Sequence, residues 1–386
     1  MDRRQFVRRL TGAAATLGTA SWATNSWAAD EAGLSANHIT IGSSLALSGI
    51  LAGAGVDHTA GIKGAFAAVN RSGGIHGREL KLQTLDDGYV PARTAANVKQ
   101  MLDGGQVFSM MSIMGTANNA AVLSLIEQQG VPYVGPITGA SSLRNPSQRY
   151  VFHVRPSYQD EVLRVVPQLV SMGLQGIAVV YLDNPFGKEV LEATQRTLVN
   201  NKLQAVGAFA LAVDGSNAEQ IAQQVIAAKA GAVVMGTTGT STTRLVLALR
   251  AKAGALPLLG VSVAVVSSEL PKLAAAAQGL AQVVVFPDPI SGKSAAARSY
   301  HAAMRAAKID NVGASGFEGW INAQLVIEGL KRAGRDLTRE KLRASLAGIR
   351  QLDLGDFVLG FAGSAPFVAS NSIKIGVFDE GGRIRA

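Results

Sequence analysis

Residues 115–141 read GTANNAAVLSLIEQQGVPYVGPITGAS, and residues 107–114 before them, VFSMMSIM, form an apolar run of strand length. That run breaks at Gly115, Thr116, Ala117 and Asn118. A helix-period segment follows, with Ala121, Val122, Leu125 and Ile126 expected on one face. Gly130 ends it, as glycine commonly does at a helix C-terminus. Residues 131–134 make a second short strand, which breaks at Pro136 into Ile137, Thr138, Gly139, Ala140 and Ser141. Strand, helix, strand is a crossover unit, so the two strands are expected to be parallel. Ligands of open parallel sheets bind outside the carboxyl ends of the strands, where both loops fall. The loops carry the hydroxyls of Thr116, Thr138 and Ser141. Gly115 and Gly139 permit close backbone approach, and the helix start after Ala117 offers free N–H groups. That set suits a carboxylate or a similar small anion. Small residues end many strands without touching a ligand; two such loops side by side favour a binding site.

The same alternation runs outward in both directions. Residues 39–42 open a first strand and lead through a glycine-rich loop into a helix carrying Ile62, Phe66 and Val69. Residues 80–84 form a strand ending at Asp86, Asp87, Gly88 and Tyr89. After a crossing point near Pro156, strand and helix alternate again to residue 286. Pro287, Asp288 and Pro289 mark a second crossing, and three helices and two tail strands follow. The expected fold is therefore α/β, with two doubly wound parallel-sheet lobes joined by a multi-strand hinge around a cleft. The first lobe is assigned to residues 37–154 with 289–350, and the second to 155–288 with 351–386.

Composition narrows the function. The chain has 386 residues and 48% hydrophobic content, ample for two packed cores, and no cysteine, which excludes disulfides and thiolate metal sites. Net charge is +9; four arginines against one aspartate in residues 1–29 account for +3, leaving +6. The remaining cations are scattered, without the basic clusters of a nucleic-acid surface. The segment 1–29 reads as a signal peptide, with a basic start, a mildly apolar middle and small residues at 26–29. Arg3 and Arg4 in RRQFVR resemble the twin-arginine export pattern; an ordinary secretory signal with incidental arginines is the alternative. The location expected is the periplasm.

Catalytic and cofactor motifs are missing. His38, His58, His76, His153 and His301 lack the paired spacing of a metal site. Residues 291–294, SGKS, lack the leading glycine of a phosphate loop, and no nucleophile elbow occurs. Neither an enzyme nor a cofactor or metal is expected.

Several stretches resemble the type I periplasmic solute-binding proteins of ABC transporters, the leucine/isoleucine/valine-binding family. They are IGSSLALSG at 41–49, NRSGGIHG at 70–77, DDGY at 86–89, GVPYVGP at 130–136 and FHVRPSYQDE at 152–161. DNPFG at 183–187, SGFEGWINAQLVIEGLKRAG at 315–334 and the closing strand before Gly381, Gly382 and Arg383 complete the set. Each is degenerate alone, but their order over about 340 residues is specific.

The resemblance implies capture of a small carboxylate-bearing ligand, amino acid or organic acid, by lobe closure and delivery to a membrane ABC permease. The alternative is an exported sensor on the same fold. It implies a monomer that binds no nucleic acid. It places the ligand carboxylate on Gly115, Thr116 and Ala117 and on Thr138 and Gly139, with Ser48 near the same cleft. From the second lobe it implies Tyr158, Pro185, Phe186, Thr238, Gly239, Thr240, Ser262 and Val263. One departure matters. Amino-acid binders of the family hold the α-ammonium with an acidic residue where this chain has Ser262. Asp183 is the candidate substitute, although it reads as a turn former. The expectation is therefore a carboxylate without an α-ammonium.

Overall fold

The computed structural model describes residues 31–290 and 292–386. The export signal expected at 1–29 lies outside them. The first sheet begins with β1 (His38–Leu45), β2 (Glu79–Asp86), β3 (Ser109–Met111), β4 (Tyr133–Val134) and β5 (Val151–His153). The second begins with β6 (Ile177–Leu182), β7 (Gly207–Leu211), β8 (Ala232–Gly236), β9 (Leu258–Gly260) and β10 (Ala281–Val284). The tail adds a hairpin, β11 (Leu352–Asp353) with β12 (Val358–Leu359), then β13 (Phe367–Val368), β14 (Lys374–Phe378) and β15 (Ile384–Arg385).

Six strands form the first sheet in the order β13-β5-β4-β3-β1-β2, all parallel. Seven form the second in the order β15-β14-β10-β9-β8-β6-β7, antiparallel only where β14 and β15 join. Each lobe is thus an α/β layer structure of the expected kind.

The central strands are apolar throughout because both faces are covered. Met110, Tyr133 and Val151 face one core with the helix Pro91–Asp103. Their neighbours Met111, Val134 and Phe152 face the other, with the helices Ala52–Arg71, Ala295–Ala306 and Ala314–Ala333. The helices Ala52–Arg71 and Ala314–Ala333 cross at very short range: a Cβ on Gly61 would fall 1.7 Å from the Gly316 carbonyl oxygen. Only glycine permits that crossing.

The helix expected after Gly115 is two short ones, Thr116–Ala120 and Leu123–Gln128. Val122, Leu123 and Ile126 turn inward, while Ala121 is exposed rather than on the buried face.

Among the described residues the chain crosses between lobes three times: after β5 through Val154–Ser157, after β10, and between β13 and β14. The third crossing corrects the expectation that residues from 351 onward belong to the second lobe. Residues Phe357, Leu359, Phe361 and Phe367 lie in the first core. Phe152 stacks on Phe367 at 4.8 Å and meets Phe361 edge-on at 5.4 Å. This aromatic cluster holds the hairpin and β13 on the first lobe, and only β14 and β15 reach the second.

Candidate functional site

The carboxyl ends of both sheets face one another across a cavity of about 140 Å³. Its wall from the first lobe includes Leu51, Ala54, His58, Met114, Gly115, Thr116, Ile137, Phe317 and Glu318. From the second come Tyr158, Phe186, Thr238, Ser262, Val263, Val265, Val266 and Leu270, and the crossings give Arg155 and Phe286. The lobes touch at the rim. Thr240 Oγ1 donates to the Ile50 carbonyl at 3.4 Å, Ser142 Oγ to Glu189 at 2.8 Å, and the Ala314 N–H to Ser267 Oγ at 3.0 Å.

Gly115 opens the first loop at φ +102°, in the left-handed half of the map, and the Tyr89 ring packs where a side chain would stand. The Thr116 and Thr138 hydroxyls bond to each other at 2.8 Å, and Thr138 Oγ1 also accepts from the Ala140 N–H at 3.1 Å. Thr116 lines the cavity and Thr138 is fully buried behind it. The N–H groups of Thr116 and Ala117, in the first turn of their helix, have no partner among the described residues.

From the other lobe, Ser157 and Asp160 form a capping box at the start of the helix Tyr158–Ser171, which sets Tyr158 at the cavity wall. The Tyr158 N–H donates to the Gly139 carbonyl at 2.7 Å, and its ring meets Phe186 edge-on at 5.0 Å. Burial pushes the Tyr158 phenol up to about 12, against the opposing charge of Arg155. Asn184 caps the helix Pro185–Asn200, with Pro185 in its first turn, and so aims Phe186.

Of the residues expected from the sequence, Gly115, Thr116, Tyr158, Phe186, Thr238, Ser262 and Val263 line the cavity. Ala117, Thr138, Gly139 and Pro185 support that lining. Gly239 and Thr240 lie against Ile50 and Leu51 at the rim. Ser48 is exposed, its hydroxyl and N–H both donated to Asp86, and it does not line the cavity.

The charged groups are those the sequence did not single out. Arg155 holds Glu318 in a two-pronged pair, Nε to Oε1 at 3.1 Å and Nη2 to Oε2 at 2.9 Å, with both side chains almost fully buried. Its Nη1 reaches Ser262 Oγ at 3.4 Å, and its guanidinium lies 5.9 Å from the Phe286 ring centroid. Behind Ser262 sits Glu161, fully buried. Its two oxygens accept the Ser262 hydroxyl and N–H, each at 2.7 Å. Burial raises both glutamates above their ordinary values, and the Arg155 charge pulls each back. Gln282 orders the same loop by accepting from the Val265 N–H at 2.7 Å and donating to the Ser262 carbonyl at 3.2 Å. Asp183 lies outside: it is well exposed and pairs with Lys188 at 2.9 Å. His58 also lines the cavity. The sequence offered it only as an unpaired histidine on a helix, with no signal separating it from the other four.

Residues 38–367 match the family model of the periplasmic binding proteins. Among solved structures, a substrate-binding periplasmic protein from Ralstonia solanacearum is 30% identical with a TM-score of 0.83, over 90% of this chain and 99% of that one. An extracellular ligand-binding receptor from Verminephrobacter eiseniae is 26% identical with a TM-score of 0.82, over 90% and 100%. A possible leucine/isoleucine/valine-binding protein from Rhodopirellula baltica shares the fold at 23% identity and a TM-score of 0.81, over 91% and 97%. No protein of curated function matches the chain in sequence.

Proposed function

The chain belongs to the type I periplasmic binding proteins, and from that premise we propose that it captures a small carboxylate lacking an α-ammonium for a membrane ABC permease. The family implies a small-molecule ligand, an ABC permease as partner and a place outside the cytoplasm. The choice of ligand rests on one observation: the charges buried at the cavity are already matched, and the further carboxylate in its wall, Asp288, is half-buried at the second crossing and accepts the Ile290 N–H at 2.9 Å. Arg155 and Glu318 hold each other, and Ser262 stands between Glu161 and the cavity with both of its donors on that carboxylate. Asp183 is engaged at the surface. A buried α-ammonium would need a buried carboxylate, and the contacts of Glu318 and Glu161 leave it none; desolvating an unmatched cation is costly.

A carboxylate is served differently. Thr116 stands in the cavity wall, and on this reading its hydroxyl and the free N–H groups of Thr116 and Ala117 behind it meet the carboxylate. Tyr158, Phe186, Val263, Phe286 and Phe317 suit an aromatic or short aliphatic body. On this reading Gly115, Thr116 and Ala117 hold the carboxylate, and Thr138 and Gly139 buttress them. Tyr158, Phe186, Thr238, Ser262 and Val263 cover the body as the lobes close. No bond is made or broken, and the permease recognises the closed form.

The test is a set of paired calorimetric titrations: leucine against its deaminated keto acid, and phenylalanine against phenylpyruvate and benzoate. Each deaminated acid is expected to bind at least about tenfold tighter, ~1.4 kcal/mol. A tenfold preference for either amino acid overturns the reading. Thr116→Val locates the carboxylate: it should cost about 1.5–3 kcal/mol of binding to the acid, the usual worth of a hydrogen bond to a charged group.

A further inference from the structure

Several buried side chains have polar atoms without a hydrogen-bond partner among the described residues, and of these only His58 lines the cavity. The ring is fully buried; its contact with the Ser315 backbone is not a well-formed hydrogen bond, and at least one ring nitrogen is left unmatched. It cannot swing away to find a partner. It lies where the helix Ala52–Arg71 crosses Ala314–Ala333, and a Cβ on Gly319 would come within 3.0 Å of its Cδ2. Burial, and then the nearby Arg155 charge, push its pKa down to about 3, with the Ser315 backbone working the other way. The ring is therefore neutral near pH 7 and offers one N–H donor and one lone pair.

A fixed ring nitrogen left unmatched is expensive in the interior. Here the ring that carries it lines a space sized for a small molecule. A cation at this point would meet the lone pair but also the Arg155 charge. A second carboxylate would meet the N–H but would bring a charge beside a guanidinium that Glu318 already holds. An uncharged hydroxyl both donates and accepts, as the ring does. His153 provides the contrast: it too is fully buried, unmatched and pushed down to about 3, but it lies away from the cavity among packed side chains.

We infer that His58 is a specificity-determining subsite that takes an uncharged hydroxyl group on the ligand's apolar body, so that the chain selects hydroxylated carboxylic acids over their unsubstituted parents. This rests on the carboxylate reading for how the rest of the ligand is held, but not for the contact with His58.

The test uses the full mature chain and defined probes: benzoate with its meta- and para-hydroxy derivatives, phenylpyruvate with its para-hydroxy derivative, and phenol, which has no carboxylate. Affinities come from calorimetry, and the histidine ring nitrogens are followed by NMR. At least one hydroxylated probe should bind about tenfold tighter than its parent. Its binding should move the His58 ring resonances, and in His58→Phe the affinity ratio of hydroxylated probe to parent should fall to within about twofold of one. Where the acids bind, a preference absent from every pair, or surviving in His58→Phe, overturns the inference. Should His58→Phe not fold, the wild-type spectra decide: unmoved His58 resonances at saturation with every hydroxylated probe overturn it equally. If phenol moves the ring while no carboxylate binds, the carboxylate reading falls, and with it the selection among acids, while the hydroxyl subsite at His58 stands.

Discussion

Two glutamates, one in each lobe, flank Arg155, and they are satisfied in different ways. Glu318 is met by a guanidinium fork, charge against charge. Glu161 is met by neutral dipoles, the hydroxyl and N–H of Ser262, with Arg155 acting on it only at a distance. The difference lies in what each leaves behind when disturbed. Removing Glu318 strands a cation in the interior; removing Glu161 strands two neutral donors. It also explains why neither carboxylate serves the cavity: one is neutralised and the other is screened by a serine.

The largest expected effect follows from the charged member. Glu318→Ala should destabilise the protein by about 3–5 kcal/mol, because Arg155 is then buried without a partner. Chemical denaturation measures this. A cost below that of the Glu161 variant would break the comparison.

Glu161→Gln keeps the shape and one acceptor but cannot accept both Ser262 donors, and should cost about 1.5–3 kcal/mol. Its pH dependence sharpens the contrast. Burial holds the Glu161 carboxyl above its ordinary value of 4.5. The folded protein therefore binds that proton more tightly than the unfolded chain does. The stability involved is complete below about pH 4.5 and declines as pH rises through the raised value. Glu161→Gln should flatten that decline in a stability–pH curve, and an unchanged curve would show that Glu161 does not titrate there.

Ser262→Ala removes the hydroxyl that screens Glu161 from the cavity. The affinity ratio of leucine to its keto acid should move towards leucine by about tenfold, ~1.4 kcal/mol. An unmoved ratio would mean that Ser262 is not what keeps an ammonium out.

The smallest effect serves as the reference. Asp183 and Lys188 form an exposed pair, so Asp183→Asn should change stability by less than about 0.5 kcal/mol and leave ligand selectivity alone.

The sequence by itself determined the alternation of strands and helices, the parallel lobes and the small, hydroxyl-bearing strand ends around Gly115 and Thr138. These are local properties: periodicity, turn chemistry and capping act over a few residues, so they can be read from a short window. The break at Ala121 and Val122 shows the limit even there, because burial of Val122 and Leu123 overrode the periodic face. Tertiary structure decided the rest. Arg155 finds Glu318 163 residues away, and Ser262 finds Glu161 across 101. The Phe152 cluster draws residues 357–367 onto the first lobe. His58 becomes a cavity residue only because glycines on the partner helix let the two helices close on it. None of these pairings leaves a local trace. A buried polar group is matched by whatever packing brings within about 3 Å, and that distance is set in space rather than along the chain.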